Sequence, residues 1–530
     1  MTAPATTSTT SLRSGGAMSL RARLRQQPPA LLLILGTITA IVALLPLAYL
    51  FVRVWEAGIS RIVDVLWRAR TAETVGTSVA LVFVVTGLCL VIGIPTAWLV
   101  SRTNIALRRT WLVLVSLPLA VPSYVAAYAW LAQFPWFNGF WAAVTVLVLV
   151  STPYVVLPTA AAFRAADPAL EEVARSLGQG PIRAFIGSTL PQAWPAAAAG
   201  ALLVALYTLS DFGAVALFRV DAFTRVIYAS YRGSFDRVSA AVLALLLVAL
   251  AALLVIAERR TRGVRRRWRT SGGTQRQAVT VALRGPARIG AFAWLTTITV
   301  LALGVPLASL INLMTRSTSL NLDLAEILSA AATTAWVALM GALLALALAL
   351  PVGILAARYR TRSVRTIESL SYTGHALPGV VVGLSLVFMT LSVFPGIYQT
   401  VLTLAVAYAV LFLPKAIGVT RTSVATVSPV LQDTARSLGR GPVRAWLSTT
   451  GRLSAPGIAA GGLLVFLTAM KELPATLMLR PTGLDTLATQ MWSRTEIAAY
   501  GQAAPYALAL IVVAAIPAWL LSRTMTSTHG

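Results

Sequence analysis

Apolar positions along this 530-residue chain fall into about a dozen long blocks, each bounded by charge. In the first half they run over about 30–52, 74–100, 111–133, 139–163, 193–217 and 238–257. In the second they run over about 290–313, 328–356, 372–394, 398–420, 455–478 and 503–522. Each is near the ~20 residues a helix needs to cross a bilayer. None shows the strict alternation of a barrel strand, and backbone groups in lipid must be satisfied within the segment. The pattern predicts an all-α membrane protein of about twelve transmembrane helices.

The polar stretches between blocks assign sides. Arginines gather in every second loop: Arg21 to Arg25, Arg102 to Arg109, Arg164 to Arg183, Arg259 to Arg269, Arg358 to Arg365, Arg421 to Arg452, and Arg523. The intervening loops are nearly balanced, as in Arg53, Arg61, Arg68 and Arg70 against Glu56, Asp64 and Glu73. This positive-inside pattern puts both termini in the cytoplasm. It also accounts for the net charge of +26 without nucleic acid as a partner. Six spans per half mean that both halves enter from the same side, so the repeats are parallel and related by an axis along the membrane normal. The expected division is a disordered cytoplasmic tail (1–29), a first six-helix half (30–257), a linker rich in Arg and Gly (258–289), a second half (290–522) and a short tail (523–530). The tail reads as retained, not as a cleaved signal, because the first apolar block is long enough to span. Cys89 stands alone, which excludes a disulfide framework and a cysteine metal site.

One polar segment occurs twice. Pro168-Ala-Leu-Glu-Glu-Val-Ala-Arg-Ser-Leu-Gly-Gln-Gly-Pro-Ile-Arg-Ala184 returns 261 residues later as Pro429-Val-Leu-Gln-Asp-Thr-Ala-Arg-Ser-Leu-Gly-Arg-Gly-Pro-Val-Arg-Ala445, without a gap. Eleven of its seventeen positions are identical while the flanking spans have diverged far more, which favours paired docking surfaces over ordinary loops left by a duplication. Gly178 and Gly439 suit the left-handed residue that ends a helix. Pro181 and Pro442 suit the first turn of the next helix. Asp167 or Ser428 is placed to cap the first. The expected shape is a helical elbow projecting into the cytoplasm.

The segment resembles the cytoplasmic loop of permease subunits of binding-protein-dependent ABC importers. Glu172, Ala174, Gly178, Leu190 and Pro191 match the family's loop. The second copy keeps Asp433, Ala435 and Gly439 but has Gly451-Arg452 in place of Leu-Pro, which leaves the exit of the second elbow undefined. The resemblance implies a type I ABC importer permease fold in a bacterial plasma membrane. It also implies that Glu171, Glu172, Ala174, Gly178, Asp433, Ala435 and Gly439 lie on ATPase-coupling loops gripped by two copies of an ATPase subunit. A Walker P-loop needs Gly-x-x-x-x-Gly-Lys-Ser/Thr. The two lysines, Lys415 and Lys471, precede Ala and Glu. The expectation is therefore a transport subunit with no catalytic residues and no cofactor of its own, ATP and Mg being bound by the partner.

The same register sets Ser210-Asp211 against Lys471-Glu472, each late in a fifth span. Ionisable residues inside a membrane are functional candidates by default. Asp211 lies roughly 27 Å along the helix from Ala193, near the extracytoplasmic end. Asp211, Glu472 and Lys471 are therefore candidates for a gate on the translocation path. The alternative is structural: Asp211 caps a broken helix, and Glu472 pairs with Lys471 or Arg219. Phe212-Gly213 and Leu473-Pro474 are expected to end these helices in short re-entrant turns. The words Ser210-Asp-Phe-Gly-Ala-Val, Thr224-Arg-Val-Ile-Tyr228, Lys471-Glu-Leu-Pro-Ala-Thr-Leu-Met-Leu-Arg-Pro481 and Asp485-Thr-Leu-Ala488 resemble fused ferric-iron importer permeases. Ferric iron handed over by an extracytoplasmic binding protein is then the implied cargo, with thiamine and polyamine permeases sharing parts of the pattern. An ion-coupled secondary transporter, the main competing class, leaves the doubled loop unexplained, and a membrane enzyme lacks a cluster of His, Asp or Glu. His375 reads as a polar contact and not a metal ligand. Gly457 and Gly461 fit close helix packing, and Trp111, Tyr128 and Trp492 are expected as interfacial anchors.

Overall fold

The computed structural model describes residues 27–234, 236–261, 280–316 and 323–527. Among them every regular element is helical, apart from one isolated bridge between Thr103 and Val281. All but the last three residues of the expected tail 1–29, the centre of the expected linker 258–289 (262–279) and residues 528–530 lie outside the described residues.

In the first half, α1 (Ala30–Glu56), α2 (Ala69–Arg102), α3 (Arg108–Ala120), α4 (Ser123–Gln133) and α5 (Phe140–Ala165) lead to α6 (Pro168–Ser176). Then come α7 (Ile182–Ser210), α8 (Gly213–Leu217), α9 (Phe223–Arg232) and α10 (Arg237–Thr261). The second half repeats the order as α11 (Pro286–Arg316), α12 (Leu324–Arg358), α13 (Arg362–Gly374), α14 (Gly379–Ser392) and α15 (Val401–Ala425). It continues with α16 (Pro429–Ser437), α17 (Pro442–Ala469), α18 (Pro474–Leu479), α19 (Leu487–Glu496) and α20 (Tyr500–Ser527). Ten helices in the described residues are long and apolar enough to cross a membrane, and two bent pairs bring the number to twelve.

Those pairs add to the sequence expectation, which read 111–133 and 372–394 as spans without a bend being specified. α3 meets α4 at 92° and α13 meets α14 at 98°. The cause is local. Val121 and Leu377, each just before a proline, sit in extended backbone (φ −84°, ψ 121° and φ −93°, ψ 116°). A proline ring clashes with a helical residue ahead of it, so the helix stops there and restarts in a new direction at Ser123 or Gly379.

Within each half the second, fourth and fifth spans pack together: α2 with α5 and α7, and α12 with α15 and α17. The expected glycine packing occurs where α15 meets α17. A Cβ on Gly457 would stand 2.3 Å from Ser423 Oγ, and one on Gly461 would stand 2.7 Å from Val419 Cγ1. The first helix of each half crosses to the other. α1 packs on α12, α13 and α14, where Thr39 donates to the Leu348 carbonyl at 2.9 Å. α11 packs on α4, where Ser309 donates to the Ala129 carbonyl at 2.7 Å. Each hydrophobic core therefore mixes residues of both halves. Neither half buries its apolar faces alone.

Two of the three aromatic residues expected at the interface are placed differently, whereas Trp111 is half-buried. Tyr128 is fully buried and donates to the Tyr500 carbonyl, and Trp492 is buried with its indole on Glu496 at 2.7 Å. Trp55, Trp67, Trp136 and Trp141 are among the exposed indoles instead. Helix rotation decides this, because an aromatic ring near a span end faces lipid only if its side of the helix does.

Candidate functional site: paired elbows and a buried polar cluster

The repeated segments form two elbows of the same shape. α6 and α16 each begin at a proline, and Asp167 caps the first by accepting from the Ala169 amide at 3.0 Å. Ser428, the other expected cap, makes no such bond. Gly178 and Gly439 end the helices at φ +83° and +84°. Their amides return to Arg175 and Arg436 at 3.0 Å, and the next amides reach the Ala174 and Ala435 carbonyls at 3.1 and 3.2 Å. Only glycine holds this left-handed turn cheaply. The chain then re-enters the membrane body through a wide π-helical turn, Phe185–Thr189 or Leu447–Gly451. The missing Leu-Pro does not alter the second exit. Trp446 replaces Phe185, and its ring sits 3.0 Å from where a Gly451 Cβ would stand, so glycine makes room for the larger indole.

The elbow tips are apolar and matched. Leu177 is 76% exposed and Leu438 78%, with Ile182 at 74% and Val443 at 69% beside them. Glu172 and Asp433 are exposed on the same helices. Glu171 faces inward: its carboxylate takes Arg102 at 2.6 Å and the Thr189 hydroxyl at 2.8 Å, with Arg175 at 3.4 Å.

At the opposite ends of α7 and α17 a second arrangement repeats. Asp211 Oδ1 accepts from the Ala214 amide at 2.9 Å, and Oδ2 accepts from the Ser123 hydroxyl. Glu472 Oε1 accepts from the Ala475 amide at 3.1 Å. Each acid thus caps the short helix beyond the break, α8 or α18, and faces the restart of the bent third span. The two sites compensate in size. Where the shorter Asp211 meets Ser123, the longer Glu472 meets Gly379, whose Cβ would lie 2.3 Å from Glu472 Oε1. The structural alternative for Asp211 therefore matches the geometry. Glu472 pairs with neither Lys471 nor Arg219, since Lys471 Nζ donates instead to the Leu119 carbonyl of the first half at 3.0 Å.

The surroundings of the two acids differ. Tyr154 and Tyr207 lie ring to ring at 5.8 Å in the first half. The residues 261 positions on are Lys415 and Thr468, joined at 3.4 Å. Tyr408 and Thr476 share a hydrogen bond at 2.7 Å, and the buried Tyr124 hydroxyl has no partner among the described residues. The signal for Lys415 was available: it is one of two lysines in the chain and lies in mid-span. Thr224 and Asp485, from the ferric-permease words, hold neighbouring turns. Thr224 donates to the Asp211 carbonyl at 2.5 Å, and Asp485 pairs with Arg480.

A two-fold repeated helical body, with matched elbows on one face and broken fifth helices, defines an integral membrane permease. The chain belongs to the family described as binding-protein-dependent transport system inner membrane component, which matches twice, over residues 90–269 and 349–525. It is 34% identical over 500 residues to an Fe(3+)-transport system permease protein of Haemophilus influenzae, covering 94% of this chain and 99% of that relative. A molybdate/tungstate transport system permease protein of Thermococcus kodakarensis is 26% identical over 183 residues, 34% of this chain and 74% of the relative. A sulfate transport system permease protein of Salmonella typhimurium is 27% identical over 210 residues, 36% of this chain and 76% of the relative. The chain is an ABC importer permease of the inner membrane, with an all-α fold of two parallel six-helix repeats.

Proposed function

We propose that this permease carries ferric iron, received from an extracytoplasmic binding protein and driven by two copies of a separate ATPase seated on the elbows. The supporting observation for the cargo is identity to a ferric-iron permease that runs through nearly the whole of both chains, whereas the oxyanion permeases match about a third of this one. For the motor, support comes from the matched elbows and from lysines that cannot serve a P-loop. ATP and Mg then belong to the partner. Both termini lie in the cytoplasm on the arginine pattern, and the halves 30–257 and 290–522 are joined by the linker 258–289.

In this mechanism the closing ATPases draw the elbows together, which rocks α7 and α17 and the broken joints beyond them. Asp211, Glu472 and Lys471 act as the gate by holding those joints: the acids fasten α8 and α18, and Lys471 ties the second joint to Leu119 across the interface. Glu172, Ala174, Gly178, Asp433, Ala435 and Gly439 form the coupling surface, with Glu171 beneath it. Uptake of radiolabelled ferric iron by a deletion strain carrying the gene on a plasmid tests the cargo, with thiamine, putrescine and molybdate as competing arms. Iron uptake abolished by orthovanadate supports the reading. Uptake of another substrate, or vanadate-resistant uptake on an ion gradient, overturns it.

A further inference from the structure

The two elbows match at the surface and differ at the root. Beneath the first, Arg102 at the end of α2 is 3% exposed and bonds through Nη2 to Glu171 Oε2 at 2.6 Å. Thr189, in the π turn that opens α7, donates to the same oxygen at 2.8 Å. One carboxylate thereby joins three elements: the second span, the elbow helix and the root of the fifth span. Beneath the second elbow the outer two members persist. Arg358 ends α12 and reaches Thr450 in the matching π turn at 3.4 Å. The carboxylate is missing, because the residue 261 positions after Glu171 is Gln432. No acid lies within ion-pair distance of Arg358 among the described residues. Its Nε is buried without a partner, as are Nε and Nη1 of Arg102, so the missing carboxylate is what separates the two roots.

This difference is mechanical. Charge-assisted hydrogen bonds are roughly twice as strong as neutral ones, and a buried pair strongly resists loss of one member. The first elbow cannot swing without carrying α2 and α7 along. The second has the same π turn, Leu447–Gly451, with no carboxylate to tie it to the elbow helix or to α12.

We infer that Arg102, Glu171 and Thr189 form a strut that makes the first elbow the rigid transmitter of the ATPase stroke, while the second elbow is compliant. Glu171 is a positioning residue, and the residue at 432 sets which elbow is stiff. The stroke itself rests on the proposed ATPase coupling; the difference in stiffness does not. Two measurements separate them. Amide hydrogen exchange of the detergent-purified full chain, corrected for intrinsic rates, should be about fivefold to tenfold slower over 168–176 than over 429–437. Glu171→Gln should erase that difference, and Gln432→Glu should slow the second segment. Equal rates in the wild type, or no response to either substitution, would refute the strut whatever the cargo. In proteoliposomes holding permease, ATPase and binding protein, Glu171→Gln should lower iron transported per ATP at least about fivefold. The exchanged pair Arg102→Glu with Glu171→Arg should restore about half. Coupling equal to wild type in Glu171→Gln, or no recovery in the exchanged pair, removes the transmitting role.

Discussion

Substitution of Asp211 distinguishes a carboxylate that fastens a joint from one that attracts a cation. Asp211→Ala leaves two donors without an acceptor, the Ala214 amide and the Ser123 hydroxyl, at a position only 7% exposed. Each unsatisfied buried donor costs about 1–3 kcal/mol, so the joint loses about 2–6 kcal/mol. Asp211→Asn has nearly the same shape. Its carbonyl still accepts from Ala214, and its amide can donate to the Ser123 oxygen. The loss is then the difference between a charged and a neutral hydrogen bond, about 1 kcal/mol. Iron uptake in cells and thermal melting of the purified complex should move together: uptake falls at least about tenfold in the Ala variant and stays within about fivefold in the Asn variant. If Asn abolished uptake as completely as Ala with melting unchanged, the negative charge itself would be the working feature and the joint argument would be wrong.

Gly178→Ala and Gly439→Ala force a Cβ into left-handed backbone at about 1–2 kcal/mol each, and each should reduce the ATPase recovered with the tagged permease; undiminished recovery contradicts the need for that turn. Leu177→Asp with Leu438→Asp places charge on both exposed tips and should abolish ATPase co-purification while the chain still inserts. Retained binding moves the docking surface elsewhere. Lys415 has the Thr468 hydroxyl at 3.4 Å and no carboxylate within ion-pair distance among the described residues. Its charge nevertheless acts on the buried Glu472, so Lys415→Met should lower the melting temperature, since removing one member of a buried charge pair strands the other; an unchanged or raised melting temperature shows that the ammonium does not hold the bundle together.

Much of this architecture could be read from residue order because the forces behind it are local. Span length follows from apolar run length, the elbow turn from Gly178 and Gly439, and the broken fifth helices from Phe212-Gly213 and Leu473-Pro474. What escaped reading depends on direction in space. Pro122 and Pro378 sit in apolar runs of ordinary span length, so the right-angle bends leave no trace in hydropathy. Glu171 and Glu172 are neighbours in sequence, yet the 100° step of a helix sends one under the elbow and the other onto its surface. The pairing of Glu472 was misplaced for a similar reason: adjacent Lys471 looks toward Leu119 of the other half, a residue 352 positions away. Tyr128 and Trp492 went inward because Tyr500 and Phe212, each from the other half, cover faces that a lone helix would show to lipid.

The account stands on the elbows being the grip of a separate motor, and native mass spectrometry of the tagged permease with its co-expressed ATPase examines that grip. One permease chain should carry two ATPase copies, and the Leu177→Asp, Leu438→Asp chain should carry none. A permease that binds no ATPase, yet moves iron into sealed vesicles on an ion gradient alone, would contradict it.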